Sequence, residues 1–334
     1  MVYRAYHKVL IIFFLSLLWG EGITSASSLI VTDKLGRKVI VEVPVKRAII
    51  GITYELIPAF DLWGQIAGVS RWAENFCSLY RAEITANPGW RRPTVGEGTD
   101  LNIEMVLKLK PDLVITWTYN PQLITFLENK GVKVIGIYPE NLDETYQLIR
   151  LHGRLFGKEK RAFELISEME KVFNIIRTQV AKIPSAEKKR VIYLGGKPTT
   201  VSAGIGVTND VINLIGGRNP AGTIPERNIE VPIERIIAWN PQVIFIWGNA
   251  GYSAEWILKS SQWRSVEAVK EGKVYKAPEW STWSPRLALY ALWMAMKVYP
   301  EYFRDINFED EADKFYRTVF GISYYKVKAY EKEY

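Results

Sequence analysis

The sequence predicts an α/β protein of two Rossmann-like lobes, each built on a central parallel sheet, joined by one long α-helix with a ligand cleft between the lobes. Three observations predict it. A seventeen-residue pattern occurs twice without a gap, 130 positions apart. The first copy is Leu101-Asn102-Ile103-Glu104, Leu107, Pro111 and Leu113-Val114-Ile115-Thr116-Trp117. The second is Val231-Pro232-Ile233-Glu234, Ile237, Pro241 and Val243-Ile244-Phe245-Ile246-Trp247. Strands also alternate with helices on both sides of the chain's middle, the pattern of parallel α/β units. Between the two series, Ala162, Ile166, Met169, Phe173, Ile176 and Val180 recur in steps of three and four. That is the apolar stripe of a single helix.

The elements follow in order. Leu29 to Val43 alternates apolar and polar residues around Lys34-Leu35-Gly36-Arg37, which predicts a β-hairpin. Arg47 to Gly51 is a short buried strand, Glu55 to Trp63 a helix stopped by Gly64, and Ile66 to Val69 a second strand. Cys77 to Arg92, punctuated by Pro88, Gly89 and Pro93, is predicted to be loop-rich. After the first repeat copy come a helix from Pro121 to Lys130, its Gly131 cap, and a strand to Ile137. Asn141 opens a helix that Gly157 closes, and the long helix runs from Lys158 to Lys182. At 1.5 Å per residue it is roughly 37 Å long, enough to reach from one lobe to the other. A polar linker at 185–189 precedes a strand at Arg190–Leu194 and a helix at Thr208–Ile215. The second repeat copy, a helix at Ala254–Lys259, a strand at Val274–Ala277 and an apolar helix at Pro285–Tyr299 complete the series. The chain beyond Pro300 is a charged, aromatic tail. The predicted domains are thus 27–157, the connecting helix 158–184, and 185–334.

The first 26 residues are predicted to be a cleavable secretory signal. Arg4, His7 and Lys8 precede the apolar run Val9–Trp19, and Thr24-Ser25-Ala26 is a small-residue cleavage site. The apolar run is about half the ~20 residues that a membrane span requires. No cysteine follows the cleavage site, so an anchor of the lipoprotein type is not expected, and export without a lipid fits a Gram-negative periplasm. Removing 26 of 334 residues leaves 308, and loss of Arg4, Lys8 and Glu21 takes the net charge from +7 to +6. With a single cysteine, Cys77, no internal disulfide can form. Basic and acidic residues are interspersed, which does not describe a nucleic-acid surface.

In open parallel sheets, ligands bind beyond the carboxyl ends of the strands. Trp117 and Trp247 fall at those ends, and Glu104 and Glu234 open the preceding helices on the same side. The two tryptophans are therefore candidates for the cleft wall and the two glutamates for its rim. An acidic residue in a first helical turn is also favoured by the helix dipole alone, by about 0.3–1 kcal/mol. Enzyme chemistry is poorly provided for. His152 is the one histidine after the signal, no Gly-x-Ser-x-Gly elbow is present, and His and Cys nowhere cluster at metal-ligand spacing. Gly204-Ile205-Gly206 lacks the third glycine of a dinucleotide fingerprint and reads as a turn.

The mature chain resembles the periplasmic binding proteins of ABC importers for iron–siderophore complexes, haem and cobalamin. The resemblance is carried by Thr32-Asp33-Lys34-Leu35-Gly36-Arg37, by Arg47-Ala48-Ile49-Ile50, by Leu101–Glu104 with Lys110-Pro111-Asp112-Leu113-Val114-Ile115, and by Trp283-Ser284-Pro285-Arg286. It implies two lobes joined by a single helix that limits hinge motion. It also implies docking to an inner-membrane permease dimer through a glutamate on each lobe, here Glu104 and Glu234, meeting transporter arginines. The segment Trp72–Glu97 departs from the pattern.

One His and one Cys are poor ligands for a bare transition metal. A metal already held in a chelator needs flat apolar walls and a few positive groups instead. The expected ligand contacts are Tyr54, Trp72, Trp117, Lys197, Trp247, Trp283 and Arg286, with Arg71 and Trp280 as further candidates. No resident cofactor is expected. The cargo expected first is a ferric siderophore-type complex. Cobalamin, haem, a nickel chelate and molybdate or tungstate stay open, the last through hydroxyls such as Thr199, Thr200 and Ser202. A cell-envelope enzyme and a sensor subunit are the readings outside transport.

Overall fold

The computed structural model describes residues 27–98 and 100–331; the expected signal segment lies outside the described residues. The chain opens with the antiparallel hairpin β1 (Ser27–Thr32) and β2 (Lys38–Val43). Then follow β3 (Ala48–Ile50), α1 (Leu56–Phe60), β4 (Ile66–Val69), α2 (Trp72–Phe76) and α3 (Ser78–Ala86). A small hairpin of β5 (Gly96–Glu97) and β6 (Asp100–Leu101) leads to α4 (Ile103–Leu109), β7 (Leu113–Trp117), α5 (Pro121–Asn129) and β8 (Val134–Ile137). Strands β4-β3-β7-β8 form an all-parallel sheet. Every residue of β3 and β8 is buried, as expected of strands covered on both faces.

Two helices follow. In α6 (Leu142–Phe156), the Asn141 side chain accepts from Glu144 N–H at 2.8 Å, and Gly157 ends the helix in the left-handed conformation at φ +68°. In α7 (Glu159–Val180), Ala162, Leu165, Met169, Val172, Phe173 and Ile176 are buried. Twenty-two residues span about 33 Å.

The second series is β9 (Val191–Leu194), β10 (Thr200–Ser202), α8 (Val207–Leu214), β11 (Asn228–Glu230), α9 (Ile233–Trp239), β12 (Val243–Ile246), α10 (Ala254–Lys259), α11 (Glu267–Lys270) and β13 (Val274–Lys276). Its sheet has the order β11-β10-β9-β12-β13. Only β9, β12 and β13 run parallel, while β10 and β11 return antiparallel. The second lobe is therefore mixed, not wholly parallel, because the short Gly195–Thr199 connection allows only an antiparallel return. The closing helices are α12 (Leu287–Val298), α13 (Pro300–Phe303), α14 (Phe308–Phe320) and α15 (Tyr324–Lys328).

Helix α7 packs on α6 and α1 from the first lobe and on α12 from the second. The tail, assigned from sequence to the C-terminal lobe, crosses back: α14 packs on α1, and α15 on α3. A second difference is the stretch 77–92, expected to be loop-rich. It holds α3 and a 3₁₀ turn, with α2 just before it. The Cys77 sulfur caps α3 by accepting from Tyr80 N–H at 3.4 Å, a role not legible from a lone cysteine.

Candidate functional site: an aromatic wall across two lobes

The repeat places its two copies in equivalent positions. Strand β7 lies between β3 and β8, and β12 lies between β9 and β13. The preceding helices end alike, at Lys110 and Asn240, whose φ values are +45° and +43°. The next position is proline in both copies, and the one after it holds the first strand of its lobe. Asp112 accepts from Lys46 and Arg47 N–H at 3.0 and 2.9 Å, and Gln242 accepts from Arg190 N–H at 3.0 Å. Arg47 donates to the Leu109 carbonyl at 2.7 Å, and Arg190 to that of Asn240 at 2.9 Å, each satisfying a helix C-terminus. The repeated unit is thus one hydrogen-bonded device used in both lobes.

Because α4 and α9 run back along their sheets, Glu104 and Glu234 stand at the carboxyl side of the strands. Both are exposed, and neither has an ion pair among the described residues. Asn102 caps α4 by accepting from Met105 N–H at 2.9 Å; Pro232 occupies that place in the second copy and offers no side-chain cap.

Beyond the ends of β7 and β8, aromatic rings from both lobes meet edge to face. Trp117 contacts Trp72 at 5.4 Å between centroids, Tyr119 at 5.2 Å and Trp283 at 5.7 Å. Tyr138 contacts Tyr119 at 5.3 Å and Trp283 at 5.0 Å. Trp283 belongs to the second lobe and the others to the first. Rings this close leave no room between them, so they form a wall, not a cage. Gly98, at φ +58°, makes space for it, since a Cβ there would meet the Trp72 ring at 2.6 Å. The Trp117 indole nitrogen is buried without an acceptor among the described residues.

Charge reaches this wall from an unexpected residue. Arg227 of the second lobe lies 4.0 Å over the Tyr138 ring and donates to Glu140 of the first lobe at 2.8 Å. Lys34 in turn pairs with Glu140 at 2.9 Å and Glu144 at 2.8 Å. The two partners hold the Glu140 carboxyl below its usual range, the Lys34 hydrogen bond first, against the opposing effect of burial. Burial, then the hydrogen bond to Tyr119, holds the Tyr138 hydroxyl neutral at every physiological pH. Arg71, before α2, is exposed.

Of the expected ligand contacts, Trp72, Trp117 and Trp283 come together in this wall. Trp247 is 40 % exposed and touches none of its rings. Lys197 is exposed in the connection from β9 to β10, paired with Glu230 of the edge strand β11 at 3.2 Å. Tyr54 is buried; burial first, then the charges of Cys77 and Glu55, raises its hydroxyl pKa well above the ordinary value.

Arg286 is the clearest correction. Its side chain has no exposure. Its guanidinium forms a two-pronged pair with Glu55, one Nε–Oε2 contact at 3.0 Å, and donates to Ser78 and Tyr316 hydroxyls at 3.2 and 3.0 Å. Burial opposes its charge and the Glu55 carboxylate overrides that, leaving its pKa well above the ordinary value. Arg286 therefore welds the lobes and offers no charge to a ligand. Trp280 belongs to the same network, donating to Glu331 at 2.6 Å. His152 is fully buried as well, with Nε2 3.0 Å from the Thr53 hydroxyl and Nδ1 2.9 Å from the Leu148 carbonyl.

Sequence reasoning missed Tyr119, Tyr138 and Arg227. Tyr138 follows β8 as Trp117 ends β7, so the carboxyl-end rule applied to every strand would have found it. Arg227 sits in an irregular segment and carries no local signal.

Two α/β lobes bridged by a helix, with an aromatic wall across their seam, are the architecture of a two-lobed binding protein. Residues 45–279 match the periplasmic binding protein family, and the chain belongs to it. It is 25 % identical to the molybdate-binding protein MolA of Haemophilus influenzae, over 92 % of this chain and 95 % of that one. It is also 25 % identical to the vitamin B12-binding protein of Yersinia pseudotuberculosis, over 59 % of this chain and 67 % of that one. Among solved structures, Helicobacter pylori CeuE in complex with nickel and histidine is similar with a TM-score of 0.80 at 22 % identity, covering 92 % of this chain and all of that one. Molybdate-bound MolA has a TM-score of 0.76 at 23 % identity, covering 89 % and 99 %. The protein is a binding component of an ABC importer, not an enzyme. No described helix is long and apolar enough to cross a membrane.

Proposed function

We propose that this protein captures a chelated metal, foremost a ferric siderophore-type complex, in the periplasm and delivers it to the permease of its ABC importer. The observation that carries the reading is the aromatic wall shared by both lobes, with Arg227 over its Tyr138 ring. A chelate presents a broad, partly apolar surface with delocalised negative charge, which rings and guanidinium groups complement. The side chains suited to a bare soft metal are engaged elsewhere, His152 with Thr53 and Leu148, Cys77 at the α3 cap.

Glu104 and Glu234 are the proposed permease contacts. Their exposure, matched placement and freedom from ion pairs among the described residues support electrostatically guided docking on transporter arginines. Export through a cleaved signal at Ala26, without a lipid, is part of the same proposal.

The end-to-end similarity to MolA favours a second reading, a bare oxyanion such as molybdate. The hydroxyls expected for it are poorly placed: Thr199 donates to the Glu230 carboxylate at 3.3 Å, and that charge repels an anion. Titration with a ferric tris-catecholate and with molybdate separates the two. Binding of the ferric complex with quenching of wall tryptophan fluorescence is expected. Tight molybdate binding with no response to any chelate would overturn the chelate reading. In cells, Glu104→Ala with Glu234→Ala is expected to abolish uptake at unchanged ligand affinity; weakened affinity instead would remove both residues from the docking role.

A further inference from the structure

A cavity of about 650 Å³ lies where the tail meets the first lobe, between α1, α3 and the end of α14. Phe60, Asp61, Trp63, Glu83, Trp90 and Lys326 are among its lining residues, and none belongs to the aromatic wall. Glu83, on α3, keeps only 5 % of its exposure, and its carboxylate makes no hydrogen bond or ion pair among the described residues. The charge acting on it is another carboxylate, Asp61. The neighbouring cations are engaged elsewhere. Lys158 donates to the Phe60 and Asp61 carbonyls at 2.7 Å each, Arg161 to those of Ala59 and Val319 at 2.9 and 2.8 Å, and Arg317 to Asp313 at 2.6 Å. Lys326 is exposed at the rim. One wall is the Trp63–Trp90 stack, at 4.7 Å between centroids.

Glu83 lines the recess with no protein donor to its carboxylate among the described residues, in surroundings that disfavour its charge. Lys158, Arg161 and Arg317 also line the recess, but their N–H groups are turned to carbonyls and to Asp313, so Glu83 meets no N–H donor beside the Phe60, Trp63 and Trp90 rings. We propose that this recess binds a small organic cation, a primary ammonium on an apolar body, whose N–H groups donate to Glu83 with Asp61 adding charge while the body packs on Phe60 and the tryptophan stack. Burial first, and Asp61 second, push the Glu83 carboxyl up to about 7, so a bound ammonium competes with a proton for the same oxygen atoms.

The test is a titration of the full protein with n-butylammonium at pH 8, followed by tryptophan fluorescence and by amide NMR shifts on α1 and α3. Saturable binding is expected. Glu83→Gln, isosteric and relieved of the buried charge, should raise Kd at least tenfold. Asp61→Asn, at a left-handed position that Asn tolerates, should raise it about threefold. n-Butanol, the same body without charge, should bind at least tenfold more weakly, and lowering the pH to 5.5 should weaken the ammonium at least tenfold as Glu83 protonates. Lys326→Gln should leave Kd within twofold. Absence of saturable binding at pH 8, equal affinity of Glu83→Gln and the parent, or equal affinity for n-butanol would overturn the proposal. So would tenfold tightening in Lys326→Gln, which would make that side chain the occupant.

Discussion

Glu55→Ala tests how the two lobes are held. Glu55 belongs to the first lobe and Arg286 to the second, and the pair is closed from solvent, with side-chain exposures of 1 % and 0 %. Removing the carboxylate leaves a buried guanidinium with the neutral Ser78 and Tyr316 hydroxyls, the Cys77 sulfur at 3.8 Å and the Trp280 ring, while the Glu331 carboxylate stands off at 4.0 Å. Breaking a buried pair from one side costs about 3–5 kcal/mol. The Ser281 N–H, which donates to Glu55 at 3.0 Å, is also orphaned, adding about 1 kcal/mol. A loss on the order of 4–6 kcal/mol is a large fraction of the ~5–15 kcal/mol that stabilises a typical protein. Equilibrium urea unfolding, followed by circular dichroism and tryptophan fluorescence, measures it. A double variant, Glu55→Leu with Arg286→Met, should recover most of the loss, since apolar replacements of buried pairs are often neutral. A loss under about 1 kcal/mol in Glu55→Ala, or simple additivity in the cycle with Arg286→Met, would refute this account of the seam.

Trp283→Ala removes the second lobe's ring from the wall and should weaken chelate binding about tenfold, the ~1.4 kcal/mol of one ring contact with the ligand; calorimetry checks it. His152 is held neutral, its pKa lowered by burial to about 4 against 6.5 unfolded. The unfolded chain therefore binds the extra proton first, so stability is full above pH 6.5 and falls with pH down to about 4, by roughly 3 kcal/mol in all. Urea midpoints at pH 7, 5.5 and 4.5, compared with those of His152→Gln, read that slope. Lys110→Gly should stabilise by about 0.5–1 kcal/mol by relieving a left-handed backbone, and Asn240→Gly by less, because Asn accepts that conformation more readily; thermal unfolding compares them.

Local patterning made most elements legible. The strand 66–69 and the helix between the Asn141 and Gly157 caps appear where hydrophobic period and capping residues place them. Helices α2 and α3 were not legible because Pro88, Gly89 and Pro93 punctuate the neighbouring chain, and a 5-residue helix has too few turns to show a period. Strands β10 and β11 have three residues each, too short for alternation, and their pairing is set by contacts made elsewhere.

The candidate site divides along the same line. The sequence by itself determined the duplicated helix–strand unit, and with it the paired glutamates and the tryptophan ending β7. These depend on residues within one turn or one strand of each other. Only the tertiary structure decided which partner each charge finds and whether it stands at the surface. Arg286 faces Glu55, 231 positions away, and is consumed in the core. Arg227 is also paired, with Glu140 across the lobe seam, but it stays partly exposed over the Tyr138 ring at the wall. Both outcomes depend on residues brought from elsewhere in the chain, and no local pattern records those distant neighbours.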